Sequence, residues 1–216
     1  MLTNINACIF DLDGTVVDSM WVWKSIDQDY LAAHGHEVPL DMSKDIEGSS
    51  MREVAKYFKN RFHINDDIDK IISDWNEMAL YKYSHDVKLK PHIDEFLKFL
   101  KDNGIKIGLS TSNSMVLAEA VLKARGVLGY FDAMSAGCSD IKGKPAPDIY
   151  LRTAESLSVN PKECLVFEDL LKGLNAGINA GMKTCAVKDE YSMYQWEDKI
   201  KLADYYIEDY YEVFKK

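Results

Sequence analysis

Two aspartates, Asp11 and Asp13, directly follow the apolar run 7–10. A short, continuously apolar run is typical of a strand buried on both faces of a parallel sheet. An unpaired carboxylate is costly to bury, so the pattern predicts a cation beside these residues. In open α/β sheets, ligands bind outside the carboxyl ends of the strands, and we therefore expect the chemistry of this chain at that edge.

Polar residues also follow later strand-like runs. Parallel strands bring their carboxyl ends to one edge of the sheet, so we expect these residues to meet Asp11. They are Thr111, Lys144 in the loop after the third strand, and the pair Glu168 and Asp169. The convergence of four strand ends is a stronger signal than any one of these motifs.

These residue types suit the transfer of a phosphoryl group. Asp11 would attack phosphorus and form an aspartyl-phosphate, which splits one difficult step into two. Asp13 would protonate the leaving oxygen and then deprotonate water. Thr111 would donate its hydroxyl to a phosphate oxygen, and Lys144 would neutralise transition-state charge and restrain Asp11.

Carboxylates this close to one another repel an anionic phosphate unless a cation intervenes. Mg²⁺ prefers one or two carboxylates together with waters and phosphate oxygens. We predict Asp11 and Asp169 as its side-chain ligands, with the main-chain carbonyl of Asp13 as a third protein oxygen. Glu168 belongs to the same acidic set; we expect it beside the ligands, and whether it binds the metal directly stays open.

Each motif also has a simpler interpretation. An Asp-x-Asp-Gly sequence can be a solvated turn, and an acidic pair can cap the helix that follows it. Lys142 is an alternative to Lys144, although the proline that follows Lys144 favours the latter. Four motifs in order, each at the end of a strand, favour a single site over four unrelated features.

The elements that must position these residues alternate along the chain. From residue 88 onward, strand-like runs alternate with helical ones, which predicts a parallel sheet with right-handed crossovers. Between 18 and 86 the spacing is helical, and Ser19 is the expected N-cap of the first helix there. The fold class is therefore α/β, a doubly wound, Rossmann-like parallel sheet core with an all-helical cap inserted after the first strand. The core is residues 1–17 and 87–216, and the cap is 18–86.

The composition of the chain argues against some classes of partner. Its 216 residues include 35 acidic and 26 basic ones, for a formal charge of −9, which argues against a nucleic-acid partner. No stretch approaches the ~20 apolar residues of a membrane span, and no signal peptide is apparent. The four cysteines form no Cys-x-x-Cys pair. We expect a reduced, cytoplasmic protein acting on a small phosphorylated metabolite, with its oligomeric state open.

The four motifs together resemble those of the haloacid-dehalogenase-like (HAD) superfamily. The helical insert resembles the cap of its β-phosphoglucomutase-like branch. The resemblance implies Mg²⁺-dependent phosphoryl transfer through the first aspartate. The dehalogenases of the superfamily lack the second aspartate and need no metal, so the presence of Asp13 argues against their chemistry. The matching segments are 11–15, Thr111 at the end of its strand, 144–148, and Glu168 with Asp169.

The cap departs from the pattern of the sugar-phosphate mutases in that branch. They carry a basic residue before a glycine and an arginine soon after it, whereas here Glu47 precedes Gly48 and Met51 takes the arginine position. Arg52 is next to it, and Trp23 replaces a histidine common in the first cap helix. These changes remove cationic contacts to a second phosphate and favour a phosphatase that acts on a monophosphate.

A phosphosugar mutase is the alternative, and a non-catalytic phospho-ligand binder is a third hypothesis. In each case the residues expected to contact the ligand are Gly14, Ser112 and Asn113 from the core, and Trp23 and Arg52 from the cap.

Overall fold

The structure is a computed structural model that describes residues 1–46, 51–137 and 142–214. The expectations for Glu47 and Gly48 therefore lie outside the described residues. Contacts between residues group the chain into two compact units. The first combines Met1–Met20 with Val87–Lys216, and the second is Trp21–Asp86.

The first unit is built on a parallel sheet of six strands in the order β5-β4-β1-β6-β7-β8, which confirms the predicted fold class. A separate antiparallel pair joins β2 and β3, with Val17 opposite Leu89. The strands are β1 (Ala7–Phe10), β2 (Val17–Asp18), β3 (Lys88–Leu89), β4 (Lys106–Thr111), β5 (Ala133–Ala136), β6 (Cys164–Glu168), β7 (Lys183–Val187) and β8 (Tyr205–Ile207).

Strand β1 lies between β4 and β6, and all four of its residues are buried. This explains why its sequence is continuously apolar rather than alternating. Phe10 is in register with Phe167 on β6, and their rings stack at 4.8 Å between centroids. The strand that leads into Asp11 is thus fixed by partners on both edges.

Helices α7 and α8 pack on the strands that carry the other predicted site residues. The helices are α1 (Val22–Ala33), α2 (Met42–Ile46), α3 (Met51–Arg61), α4 (Ile68–His85), α5 (Ile93–Asp102), α6 (Met115–Ala124), α7 (Asp148–Leu157), α8 (Leu171–Asn179), α9 (Trp196–Leu202) and α10 (Tyr211–Phe214). Short 3-10 turns cover 128–130, 161–163 and 190–195. No helix within the described ranges is both long and apolar enough to span a bilayer.

The second unit, in its described part, contains only helices as regular elements. Its core is aromatic. The ring of Trp75 on α4 meets Phe58 on α3 at 4.9 Å and Tyr30 on α1 at 5.7 Å, both in edge-to-face geometry. Such contacts bury large apolar area and join the three longer helices of the unit.

The structure corrects several local expectations. Ser19 does not cap the first helix, because α1 begins at Val22 and Trp21 stands at its N-cap position. Strand β4 extends through Thr111, and β6 extends through Glu168, so both residues belong to strands instead of following them. Helices α2 and α9 and the β2–β3 pair are too short for hydrophobic periodicity to predict them.

Candidate active site

The carboxylate of Asp11 lies at the end of β1 and is only 7% exposed. Its amide donates to the carbonyl of Phe167 at 3.0 Å, which continues the β1–β6 pairing by one residue. Its Oδ1 accepts a hydrogen bond from Lys144 Nζ at 2.6 Å. The sheet therefore fixes the main chain of Asp11, and Lys144 fixes its side chain.

Lys144 bridges the ends of three strands, β1, β4 and β6. Its ammonium donates to Asp11 Oδ1, to the carbonyl of Ser110 at 3.2 Å and to Glu168 Oε1 at 2.6 Å. These three acceptors use all three protons of an ammonium group. Lys142, the alternative in the same loop, is exposed. The structure thus brings Lys144, and not Lys142, to Asp11.

Glu168 is held by three donors. Its Oε1 accepts from Lys144 and from the Tyr150 hydroxyl at 3.2 Å, and its Oε2 accepts from the Leu170 amide at 2.9 Å. Gly173 makes room for this carboxylate, because a Cβ at that position would overlap it. With both oxygens engaged, Glu168 is suited to hold Lys144 in place.

Asp169 is fully buried, and its Oδ2 has no hydrogen-bond partner. The only donor to Oδ1 among the described contacts is the Thr15 hydroxyl, at 3.4 Å. Gly14 allows this carboxylate its position: a Cβ there would lie 2.5 Å from Oδ2, and the backbone has φ +80°. A buried carboxylate oxygen without a donor is stabilised by a nearby cation or by protonation of the carboxyl group.

The residues present fit a metal ion. Asp11, Glu168 and Asp169 each offer one oxygen, and these oxygens lie within 4.8 Å of one another. Hard divalent cations prefer such oxygen ligands. The carboxylate of Asp13 is not part of this group, and the role predicted for its main-chain carbonyl stays a prediction.

Crowding of these carboxylates perturbs their ionisation. Burial raises the pKa of Asp11 to about 7, and Glu168 and Asp13 add to this effect while Lys144 opposes it. Burial, followed by the charges of Glu168 and Asp11, raises the pKa of Asp169 well above its usual range. A cation at this point would remove the cost of ionising both aspartates.

Asp13 has a separate set of partners. Its Oδ1 accepts from the Ser19 hydroxyl at 2.6 Å, and its Oδ2 accepts from the Asn113 amide at 3.2 Å. Asn113 therefore lies beside Asp13, where its side-chain NH₂ contacts a protein carboxylate, and its predicted contact with a ligand stays a prediction. Both bonds orient Asp13 without supplying a full positive charge.

The end of β4 contributes a buried hydroxyl. Thr111 is fully buried, and its Oγ1 accepts from the amide of Asn113 at 3.0 Å. Among the contacts of the described residues, the hydroxyl acts only as an acceptor. Ser112 is exposed, and the following helix, α6, is capped by Ser114, whose Oγ accepts from the amide of Leu117.

The two predicted cap residues belong to the second unit, where their environments differ. Trp23 lines a cavity of about 260 Å³. Arg52 is exposed and pairs with Asp69 at 2.6 Å, and it is not among the lining residues. The cavity is lined by Trp23, Asp27, Ile46, Met51, Val54 and Trp75.

Asp27 is the one ionisable residue among the six that line the cavity. The carboxyl of Asp27 is half-buried there, and burial raises its pKa to about 6. The indole NH of Trp75 is buried without a hydrogen-bond partner. None of the six lining residues is cationic, so nothing in this set would pair with a second phosphate.

Ser19 and Tyr150 are the site residues that sequence reasoning missed. The role of Ser19 could have been considered from the sequence. A serine six residues after Asp13 can donate its hydroxyl to that carboxylate as well as cap a helix. Tyr150 lies on the buried face of α7, where a tyrosine hydroxyl needs a partner. Its partner, Glu168, is 18 positions away, and that pairing is not visible in the sequence.

Several known proteins are similar to this chain in sequence. PpaX of Clostridium perfringens is 33% identical over 192 residues, which cover 85% of this chain and 84% of that protein. The phosphorylated carbohydrates phosphatase of Thermotoga maritima is 30% identical over 179 residues, with 83% of each chain covered.

A crystal structure of β-phosphoglucomutase from Clostridium difficile superposes with a TM-score of 0.74 at 25% identity, covering 98% of this chain and 94% of that one. The model of the haloacid dehalogenase-like hydrolase family matches residues 8–187. That range runs from the strand leading into Asp11 to the end of β7, beyond Asp169. The chain therefore belongs to the haloacid dehalogenase-like hydrolases, as its four motifs predict.

Proposed function

We propose that this protein is a Mg²⁺-dependent phosphatase that hydrolyses a small phosphomonoester through an aspartyl-phosphate on Asp11. The observation that carries the proposal is the separation of the two aspartates. Asp11 lies against Lys144 in the acidic cluster, whereas Asp13 is held by the neutral donors Ser19 and Asn113. One carboxylate is thus suited to attack and the other to exchange protons.

In the first step, an oxygen of Asp11 forms a bond to phosphorus while the bond to the leaving alkoxide breaks. Asp13, in its protonated form, gives its proton to that leaving oxygen. Thr111 donates to a phosphate oxygen, and Lys144 neutralises charge and keeps Asp11 oriented.

In the second step, a water molecule attacks phosphorus and the Asp11–phosphorus bond breaks. Asp13 now accepts the proton of that water, which returns it to its starting form. Mg²⁺, held by Asp11, Asp169 and the Asp13 carbonyl, would offset the charge of the phosphate and of the clustered carboxylates.

The composition of the cavity supports a monophosphate substrate. Trp23, Met51 and Trp75 are large apolar or aromatic residues, and Arg52 is engaged by Asp69. A mutase must hold a second phosphate or a bisphosphate intermediate, which requires cationic contacts. We therefore place the specificity of the enzyme for its alcohol group in this cavity.

The proposal is tested with Asp11→Asn and a generic aryl phosphate in the presence of Mg²⁺. We expect turnover to fall by at least about 10³-fold, because an amide cannot form the acyl phosphate. Asp94→Asn, at an exposed position on α5, is the control and should retain full activity. In Asp13→Asn, mass spectrometry should detect a covalently bound phosphoryl group. Undiminished turnover in Asp11→Asn would falsify the mechanism.

The likeness to β-phosphoglucomutase makes mutase activity the second candidate. The two reactions differ in the fate of the phosphate, which ³¹P NMR follows directly. With hexose phosphates and Mg²⁺, we expect free phosphate only. Interconversion of two hexose phosphates without net release would favour the mutase.

A further inference from the structure

The cavity of the second unit combines a carboxylate with two tryptophans. Asp27 follows Trp23 by four positions on α1, a spacing that puts both side chains on one face of the helix. Both are half-buried and line the cavity of about 260 Å³, together with Trp75 of α4, which is buried. Pockets for drug-sized ligands occupy about 300–1,000 Å³. The cavity therefore suits a smaller organic group.

The carboxylate of Asp27 has no cationic partner among the described residues. Burial raises its pKa to about 6, and no charged side chain contributes to that shift, so the group is mostly ionised at neutral pH. The other aspartate of α1, Asp29, pairs with Lys82 Nζ at 2.7 Å. A half-buried, ionised carboxylate without such a partner costs free energy in the unliganded protein. Groups of this kind are characteristic of binding and catalytic sites.

The aromatic walls of the cavity can also receive a cation. The faces of tryptophan rings carry negative potential and attract ammonium groups. Lys82 lies over the ring of Trp21, 5.9 Å from its centroid, and Trp21 does not line the cavity. In the part of the chain that the structure describes, no lysine or arginine lies over the ring of Trp23 or Trp75. A cation in this cavity would therefore come from a ligand.

The composition of the cavity favours one kind of cation. A primary ammonium has three N–H groups, and each needs an acceptor when the group leaves water. Of the six lining side chains, only Asp27 has acceptor oxygens; the others are aliphatic, thioether or indole groups. A methylated ammonium without N–H groups spreads its charge over methyl groups, which pack on apolar and aromatic surfaces. The cavity is therefore better suited to a methylated ammonium than to a primary one.

We propose that this cavity binds a methylated ammonium group, and that the preferred substrates are phosphomonoesters of methylated amino alcohols. The inference rests on the proposed function and names its substrate class. The carboxylate of Asp27 supplies the opposite charge, and Trp23 supplies an aromatic surface. A cationic ligand also offsets the cost of the unpaired carboxylate, which a neutral alcohol group does not.

Two substrates of nearly equal shape test the role of the charge. Choline phosphate carries a trimethylammonium group, and neohexyl phosphate has carbon in place of the nitrogen. We expect kcat/KM for choline phosphate to exceed that for neohexyl phosphate by at least about tenfold. Ethanolamine phosphate, with a primary ammonium, should fall below choline phosphate by about threefold or more. A wild-type enzyme that hydrolyses both isosteres equally well, or prefers the neutral one, would overturn the proposal.

Two variants assign the preference to the cavity. Asp27→Asn removes the charge and should lower the ratio of kcat/KM for choline phosphate to that for neohexyl phosphate by about tenfold. Trp23→Leu, which keeps an apolar side chain, should lower the same ratio by about threefold or more. Asp29→Asn is the matched control on the same helix, because its carboxylate pairs with Lys82 and does not line the cavity. It should keep the wild-type ratio. An unchanged ratio in Asp27→Asn would contradict the assignment.

Direct binding separates this inference from the phosphatase assignment. Choline alone, at millimolar concentration, should quench tryptophan fluorescence saturably in the wild type and in Asp11→Asn, but not in Asp27→Asn. Sodium chloride at equal ionic strength is the reference. Choline binding without turnover of any phosphomonoester would support the cavity site and count against the phosphatase. Normal turnover of an aryl phosphate without a saturable response to choline would overturn the methylated-ammonium site alone.

Discussion

The hydroxyl of Ser19 lies 2.6 Å from Oδ1 of Asp13, at the start of the segment that follows β2. Ser19 is 1% exposed, so this bond is shielded from water and from competing donors. Together with Asn113 on the other oxygen, it fixes the carboxyl that we assign to proton transfer. The position of a general acid relative to the leaving oxygen strongly affects its efficiency.

Ser19→Ala should therefore lower kcat by about tenfold and leave KM nearly unchanged. The loss should be larger for an alkyl phosphate, whose poor leaving group needs the proton, than for an aryl phosphate. Steady-state kinetics on the two substrates measure this difference. Ser25→Ala serves as the control, because it removes a serine hydroxyl on α1 that contacts Asp29 instead of Asp13. Equal losses on both substrates would contradict the assigned role.

Gly14→Ala tests the close approach of Asp169. Two effects are combined at this glycine: a positive φ and a Cβ that would meet the carboxylate. Gly104 has φ +69° with open space around it. Gly104→Ala therefore introduces the backbone strain of a positive φ without a steric overlap. We expect Gly104→Ala to lose about 1 kcal/mol of stability from strain alone, and Gly14→Ala to lose more, because its Cβ also overlaps the carboxylate. Only Gly14→Ala should also lose Mn²⁺ binding in a titration, and retention of wild-type affinity would contradict this geometry.

The carboxyl of Asp27 should make the stability of the protein depend on pH. Its pKa in the folded state is about 6, above the ordinary 3.8, because burial disfavours the charged form. Its contribution to stability is fully present below about pH 4 and is lost as the pH rises through about 6. Asp27→Asn, which stays neutral, should match the wild type at about pH 4. At about pH 7.5 the free energy of unfolding of Asp27→Asn, measured by urea denaturation, should exceed that of the wild type. The expected difference is about 1 kcal/mol, after allowance for the partial exposure of the side chain.

The control for that series is Asp94→Asn, the same substitution at an exposed position on α5. Its difference from the wild type should stay constant between the two pH values. A constant difference for Asp27→Asn as well would mean that this carboxyl is solvated and ionises normally.

Arg52 and Trp23 provide a direct test of where substrate specificity resides. Arg52 pairs with Asp69 on the surface, so Arg52→Ala should leave KM within about twofold of the wild type. Trp23 lines the cavity, and Trp23→Ala should raise KM for the best substrate by about tenfold or more. A screen of phosphomonoesters identifies that substrate. A larger effect of Arg52→Ala than of Trp23→Ala would reverse the assignment.

The sequence predicts the parallel sheet because its inner strands are short apolar runs, although β4 and β6 extend further than those runs indicate. Strand β1 begins at Ala7 and ends at Phe10, as the apolar run predicts. Convergence at the carboxyl edge follows from parallel pairing alone, so the meeting of Asp11, Lys144 and Asp169 was predictable. The HAD family also followed from the motifs.

What sequence reasoning missed depends on tertiary contacts between residues far apart in the chain. Ser19 has the chemistry of a helix cap, and only the turn at residues 12–17 directs it to Asp13 instead. In the sequence, Lys199 has the pattern of a surface lysine on a polar helix, but the structure buries it against the end of β6. Arg52 has a suitable charge, but the sequence cannot tell that Asp69 is its partner.

The position of β1 in the sheet also determines when the site can form during synthesis. Its two neighbours, β4 and β6, begin at residues 106 and 164, so the strand preceding Asp11 is made early and paired late. Contacts so distant along the chain close slowly. On the ribosome, the acidic cluster cannot assemble until β6 has emerged. Nascent chains in which β6 has not yet emerged therefore leave the apolar strand β1 without one of its two neighbours.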